Sequence, residues 1–381
     1  MNIVVGTYEE LILGYKLINS EETYKIEQTF TDHSHLGCIK SAGISRKNVL
    51  ATGSTDETIR LFNLQKQTEL GTLMHHSGNV SKGTVTQITF HQDSHMFSTS
   101  EDGTMCVWKN YSWECLRQFR GHKGAVNSVS VHPSGKLAIT VSKDKTLRTW
   151  NLITGRHAYI SNIKEIADNV LWSPDGNHYA VSIYNKIHIY KMEDAAIHCT
   201  IESEKRINNI VFINNNVISY GGEGGQVFLH DFTTDKQVTS LQLKCTRIKG
   251  LCCSYFDDNI PLLIIAASDG NIWVFKIQID QEQYEKVVEH DTKFRITCLA
   301  VTPPLPTKKH MKSEETLVLE QIEDNTNDKD NSDEKEDPDS EDSDSDEPEQ
   351  RPENHKTIKR KLTEKNDVNP EASVNVKQKI K

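Results

Sequence analysis

The residue types that could carry acid–base or nucleophilic chemistry gather most clearly in one stretch. From Arg120 to Asn151 it reads RGHKGAVNSVSVHPSGKLAITVSKDKTLRTWN, and it contains His122, Thr140, Asp144 and Trp150. A histidine, a carboxylate and a hydroxyl are the parts of a nucleophilic triad, in which the carboxylate orients the imidazole and the imidazole takes the hydroxyl proton. The set is not alone. Upstream stand His35, Thr52 and Asp56, and then Ser98, Asp102 and Trp108, with His75 or His76 before them. Sets that return in register with the sequence belong to the scaffold, so these residues are read as structural.

The elements that must position them follow from the alternation. Val126, Val129 and Val131, then Leu137 to Val141, then Thr146 to Trp150, are period-two runs separated by His-Pro-Ser-Gly and Lys-Asp-Lys turns. Such runs are short, half-buried strands. A Ser two residues before the turn Asp and an aromatic six after it form a frame. That frame recurs with its Asp position at 8, 56, 102, 144, 184, 224 and 269. The positions hold Tyr8, Asp56, Asp102, Asp144, Tyr184, Gly224 and Asp269, so the copies at 8, 184 and 224 are degenerate. Seven four-stranded units of roughly 40–50 residues predict an all-β, seven-bladed WD-repeat β-propeller over residues 1–302. The WD-repeat pattern implies one hydrogen-bonded chain through His122, Thr140, Asp144 and Trp150. In blade two the chain is shorter, because Phe62 has no N–H. Blades five and six, without the Asp, are expected to be the weaker part of the ring. A closed ring leaves no open edge only if its ends interlock. The run at 294–301 is therefore expected to supply the innermost strand of the blade built from residues 1–30.

Composition sets limits on function. Hydrophobic residues make up 36% of the chain, and no apolar run is long enough to span a bilayer. The N-terminus lacks the basic start and cleavage site of a signal peptide, and no membrane partner is expected. The eight cysteines form no CxxC pair and are read as reduced, buried thiols of a cytosolic or nuclear protein. Between blades two and three the segment Met74–Thr84 is an insertion rich in Gly, Ser and Asn. Its His75 and His76 have no second ligand cluster nearby in sequence, so no metal and no cofactor are expected. The insertion is read instead as a docking loop on the face of the Asp turns, with His75 and His76 as candidate contacts. Tyr111 and Trp113 replace a polar turn on the opposite face. They are either packed on the outer strand or aromatic anchors for a partner.

Beyond Val301 the composition changes. Residues 303–381 carry 14 Lys and Arg against 22 Asp and Glu, which accounts for most of the chain's net charge of −10. Residues 323–349 are nearly all Asp, Glu, Ser and Pro and are expected to be disordered, with a short helix near 314–322. Ser340, Ser343 and Ser345 lie in dense acid and are candidate phosphorylation sites. The cluster of Lys356, Lys359, Arg360 and Lys361 resembles a nuclear import signal.

No phosphate-binding loop, nucleophile elbow, zinc-protease motif or framed carboxylate pair is present, so no catalytic activity is expected. No basic run tracks nucleic acid, so direct sequence-specific nucleic-acid binding is not expected either. The stretches VVGTYEELILGYKL, GSTDETIRLFNL at 53–64, TSEDGTMCVWK at 99–109, GHKGAVNSVSVHPSGKLAITVSKDKTLRTWNL at 121–152 and LWSPDGNHYAVSIYNKIHIY at 171–190 resemble the PAK-interacting WD-repeat protein family. The resemblance covers residues 1–302. It implies a scaffold in nucleolar assembly of the large ribosomal subunit, with ribosomal proteins and assembly factors of pre-60S particles as partners. It implies as an alternative the inhibition of a Rac-activated protein kinase through its regulatory region.

Overall fold

A computed structural model of the chain describes residues 1–303 apart from 21–22, 77–82 and 256–259. Among these, seven four-stranded antiparallel sheets follow one another around a closed ring. Blade four shows why this sequence makes such a unit. Its strands are Val126–Val131, Leu137–Ser142, Thr146–Asn151 and Arg156–Asn162, in spatial order. The second strand, LAITVS, is covered on both faces by neighbouring blades and is apolar or small throughout. The fourth, RHAYISN, lies at the rim and is almost wholly exposed. Thus burial falls from the axis outward, and side-chain polarity rises with it.

The core lies between blades rather than within one. Val227 and Leu229 of blade six pack against Leu251, Leu263 and Ile265 of blade seven, and each such layer is one hydrophobic cluster. The turns joining second and third strands need a left-handed residue. Gly103 (φ 84°) supplies it after Asp102 and Lys145 (φ 65°) after Asp144. In blades five and six the turn is remade with Tyr184 (φ 51°) and with Gly224 and Gly225 (φ 85° and 69°).

The ring closes through Ile296–Val301, which pairs antiparallel with Asn2–Thr7. Ile3 faces Val301 and Val5 faces Leu299, and the sheet continues outward through Ile12–Ser20 and Thr23–Asp32. The strand starts at Ile296 rather than 294, because Lys293 (φ 62°) turns the chain and Phe294 donates its N–H to Thr292 Oγ1. Asn2 N–H donates to Thr302 Oγ1 at 3.2 Å just past its end. No helix among the described residues is long and apolar enough to cross a membrane. The acidic block at 323–349, the candidate phosphorylation sites Ser340, Ser343 and Ser345, the basic cluster and the helix expected near 314–322 lie outside the described residues.

Candidate functional site

In blade four, His122 Nδ1 lies 2.9 Å from Asp144 Oδ2 and His122 Nε2 lies 2.8 Å from Thr140 Oγ1. The Trp150 indole N–H donates to the same Thr140 oxygen at 2.8 Å. The acceptor-only carboxylate fixes the direction of the chain. Nδ1–H donates to Asp144, the Thr140 hydroxyl donates to Nε2, and Thr140 accepts from Trp150. Asp144 also accepts the backbone N–H of Lys123 and both the N–H and hydroxyl of Thr146. Burial alone would raise the Asp144 carboxyl, but these donors hold it well below the usual carboxylate range. Burial pushes His122 down against the opposing pull of Asp144, which favours the neutral ring. The connectivity is that of a triad, yet Thr140 is fully buried and the indole occupies its outer side. No substrate reaches it.

Blades two and three repeat the arrangement. His35 bridges Asp56 (2.8 Å) and Thr52 (2.9 Å), and Phe62 leaves the chain without its last donor. In blade three the bridging ring is His76, with Nδ1 at 3.2 Å from Asp102 and Nε2 at 2.7 Å from Ser98, which also accepts from Trp108. The burial of Asp102 is outweighed by its bonds from His76 and Thr104, which bring it to about 2. Blade seven substitutes Thr246, whose N–H and hydroxyl both reach Asp269. Blade five replaces the polar chain by stacking Tyr179 on Tyr190, 4.9 Å apart.

These positions correct two expectations. His76 is not a partner contact, because it is buried and completes the blade-three chain. Trp113 is half-buried and packs with Leu73, Phe90 and Cys115 against the core, so it is not a free anchor. Tyr111, by contrast, is exposed, with Lys47 over its ring at 4.6 Å. His75 is exposed and sets its ring edge-on to Trp108. The insertion's residues 77–82 lie outside the described residues.

The fold also brings together ligand types that are distant in sequence. His75, Cys106 and Cys115 place one donor atom each within 4.8 Å of one another, as do Cys199, His230 and Asp235. Each group offers three donors where a closed structural zinc site uses four. The second group includes the exposed Asp235, and burial holds the Cys199 thiol up at about 11. All eight cysteines are free thiols, two of them fully buried.

A second feature had no local sequence signal. At or just before the start of each innermost strand stands a buried apolar residue, and the next residue faces the central channel. Around the ring these channel residues are Lys40, Thr86, Asn127, Asp168, Asn208, Lys249 and Thr297, and all seven line one cavity of about 350 Å³. The residues preceding the buried position include Arg206, Arg247 and Arg295 in blades six, seven and one. Lys40 in blade two completes a cationic arc across four adjacent blades. Arg206 is held by both oxygens of Asp168 at 3.0 Å and Arg247 by Glu223 at 3.1 Å. Arg295 covers the ring of Tyr8 at 5.1 Å and Arg206 that of Tyr184 at 5.9 Å. Tyr8, Leu36, Ile166, Tyr184 and Phe294 stand exposed around this arc. The basic residues are about one blade apart in sequence, so they make no run, and only their shared register reveals them.

Comparison with known proteins agrees with this architecture. Residues 67–109 and 113–151 match the model described as WD domain, G-beta repeat. The chain is 41% identical over 309 residues to a p21-activated protein kinase-interacting protein 1-like protein of Danio rerio, covering 81% of this chain and 82% of that protein. It is 34% identical over 313 residues to p21-activated protein kinase-interacting protein 1 of Homo sapiens, covering 79% and 77%. It is 28% identical over 346 residues to Protein MAK11 of Saccharomyces cerevisiae, covering 78% and 82%. With seven blades, the buried His–Asp chains in register and this similarity along the whole propeller, the chain belongs to the family of the p21-activated protein kinase-interacting WD-repeat proteins.

Proposed function

We propose that the protein is a non-enzymatic docking scaffold that acts in assembly of the large ribosomal subunit, in the nucleolus, with consequences for pre-rRNA processing and cell proliferation. Its partners on this reading are ribosomal proteins and assembly factors of pre-60S particles. The observation that carries the scaffold part is the rigid ring whose one face gathers exposed apolar side chains around a charged channel mouth. The composition of residues 303–381, acidic and then basic, supports the nucleolar part. Affinity purification from nuclear extract followed by a sucrose gradient tests it. Co-migration with large-subunit precursors is the expected result, and a chain found only in light fractions would refute the assembly role.

The names of the relatives favour a second reading, in which the chain binds the regulatory region of a Rac-activated protein kinase and restrains its activation. A kinase complex free of ribosomal proteins in the same purification is the outcome that selects it.

A further inference from the structure

Lys249 is a cation with little compensation. It is half-buried beside the channel, and among the described residues no carboxylate pairs with it or with Lys40. Burial pushes its ammonium below the ordinary lysine range, and Arg247, Lys40, Arg295 and Arg206 push it further in the same direction. Four carboxylates stand near the arc, and one of them, Glu9, accepts the Arg295 backbone N–H at 3.3 Å and lines the same rim as Lys40 and Lys249. Asp168 holds Arg206, Glu223 holds Arg247, and Asp269 accepts from Thr246 and Ser268. The fold thus keeps a desolvated cation among four others at the mouth of a cavity, an arrangement that weakens the free protein and is relieved by an incoming anion.

The walls narrow the choice of anion. Gln87, Asn127, Asn169, Asn208 and Asn209 line the same cavity and make its wall polar, with the amide nitrogens of Asn127, Asn169 and Asn208 bonded to backbone carbonyls of the next blade. A duplex is too wide to enter. The rings of Tyr8 and Tyr184, which a single strand would use for stacking, are already covered by guanidinium groups. Around the rim, Leu36, Ile166 and Phe294 offer apolar contact.

We propose that this channel mouth is the docking site for an acidic segment of a partner protein, Asp- and Glu-rich with interspersed apolar residues. Its carboxylates sit on Lys40 and Lys249, and its apolar side chains lie on Leu36 and Phe294. Field lines from the arc concentrate at the mouth and steer such a segment toward it. The proposal deepens the scaffold reading and rests on it.

The test is fluorescence anisotropy with a labelled Asp- and Glu-rich peptide containing two leucines. It is run on the full chain and on a full chain whose Asp and Glu between 323 and 349 are changed to Asn and Gln, which removes a competitor of the same chemistry. Lys249→Met is expected to weaken binding about tenfold while raising the melting temperature by about 1–3 °C, because it removes a desolvated cation. Lys191→Met, on an exposed strand end away from the channel, is expected to change neither. The opposite signs of the two effects separate a binding role from misfolding. The proposal is overturned if the acid-depleted chain binds the peptide no better than an Asn and Gln analogue. It is equally overturned if Lys249→Met leaves affinity unchanged, or if oligouridine binds more tightly than the peptide through Lys249, which would assign the site to nucleic acid. Gradient position of the unaltered protein is read separately, so loss of the assembly role and loss of the peptide site are distinguishable.

Discussion

Asp144 accepts four hydrogen bonds in blade four, from His122, Lys123 and twice from Thr146. Asp144→Ala strands the buried imidazole and two backbone donors and is expected to cost about 1–3 kcal/mol. Tyr184→Ala, at the equivalent turn of blade five, is expected to leave the melting curve nearly unchanged, since that side chain is exposed and outside any such chain. Equal melting curves for the two variants would remove the polar chain as a source of stability. The same groups set an acid limit. The Asp102 carboxyl, at about 2, and the depressed Asp144 carboxyl stabilise the fold above the unfolded carboxylate range and lose that contribution as pH falls through their folded values. His122 is also depressed, so its unfolded form gains a proton first and stability falls in the same direction below the ordinary histidine range. Melting temperature is therefore expected to drop steadily from pH 7 to 3, and to drop less in a chain carrying Asp144→Asn with Asp102→Asn. At this scale the His–Asp sets were legible because repeat register fixed them. The choice between His75 and His76 was not, since one residue of loop length decides which ring turns inward.

The closing strand is the element on which the ring depends. Without Ile296–Val301 the strand Asn2–Thr7 has an unpaired edge, and the buried Val4, Ile12, Ile39 and Leu50 lose their cover from Cys298 and Ala300. A chain ending at Pro303 is expected to melt cooperatively and elute as a monomer. One ending at Lys293 is expected to lose that transition and aggregate, and a preserved sharp melt would show that the blades hold without the seam. The insertion between blades two and three needs more care than its composition suggests. Any replacement has to spare His76, because that ring bridges Asp102 and Ser98. Exchanging only residues 77–82 for a Gly-Ser turn is expected to shift the melt by no more than a degree or so. The propeller itself was readable because a period of two and a turn frame repeat through the chain. The remaking of blades five and six was less so. There Tyr179 stacks on Tyr190 and Tyr220 on Phe228, and stacking has no fixed sequence spacing.

At the scale of the whole molecule, the two faces of the ring differ in chemistry, and this difference is what a partner reads. The face of the Asp turns carries Lys40, Arg206, Arg247, Lys249 and Arg295 around the channel, with exposed apolar side chains at its rim. The opposite face offers Tyr111 as an exposed aromatic, but Trp113 beside it is packed into the core layer. The basic arc escaped a linear reading because its members arise from four blades, while the chain's overall charge of −10 points the other way. The import hypothesis concerns the other end of the chain. Changing Lys359, Arg360 and Lys361 together to Ala is expected to leave the propeller folded and to move a tagged protein from nucleus to cytoplasm, where unchanged nucleolar signal would assign import to partners or to another signal. Within the nucleus the faces can then be separated. Lys40→Met with Lys249→Met is expected to reduce co-migration with large-subunit precursors, because it removes two of the arc's five cations without opening a cavity. Tyr111→Ala is expected to leave co-migration intact, because that ring is exposed on the opposite face, under the Lys47 ammonium. Trp113 is unsuitable for the comparison, since it packs against the buried core layer and its removal would confuse lost binding with lost stability. If Tyr111→Ala releases the protein from the precursors and the lysine pair does not, docking is through the opposite face and the cationic mouth serves some other ligand.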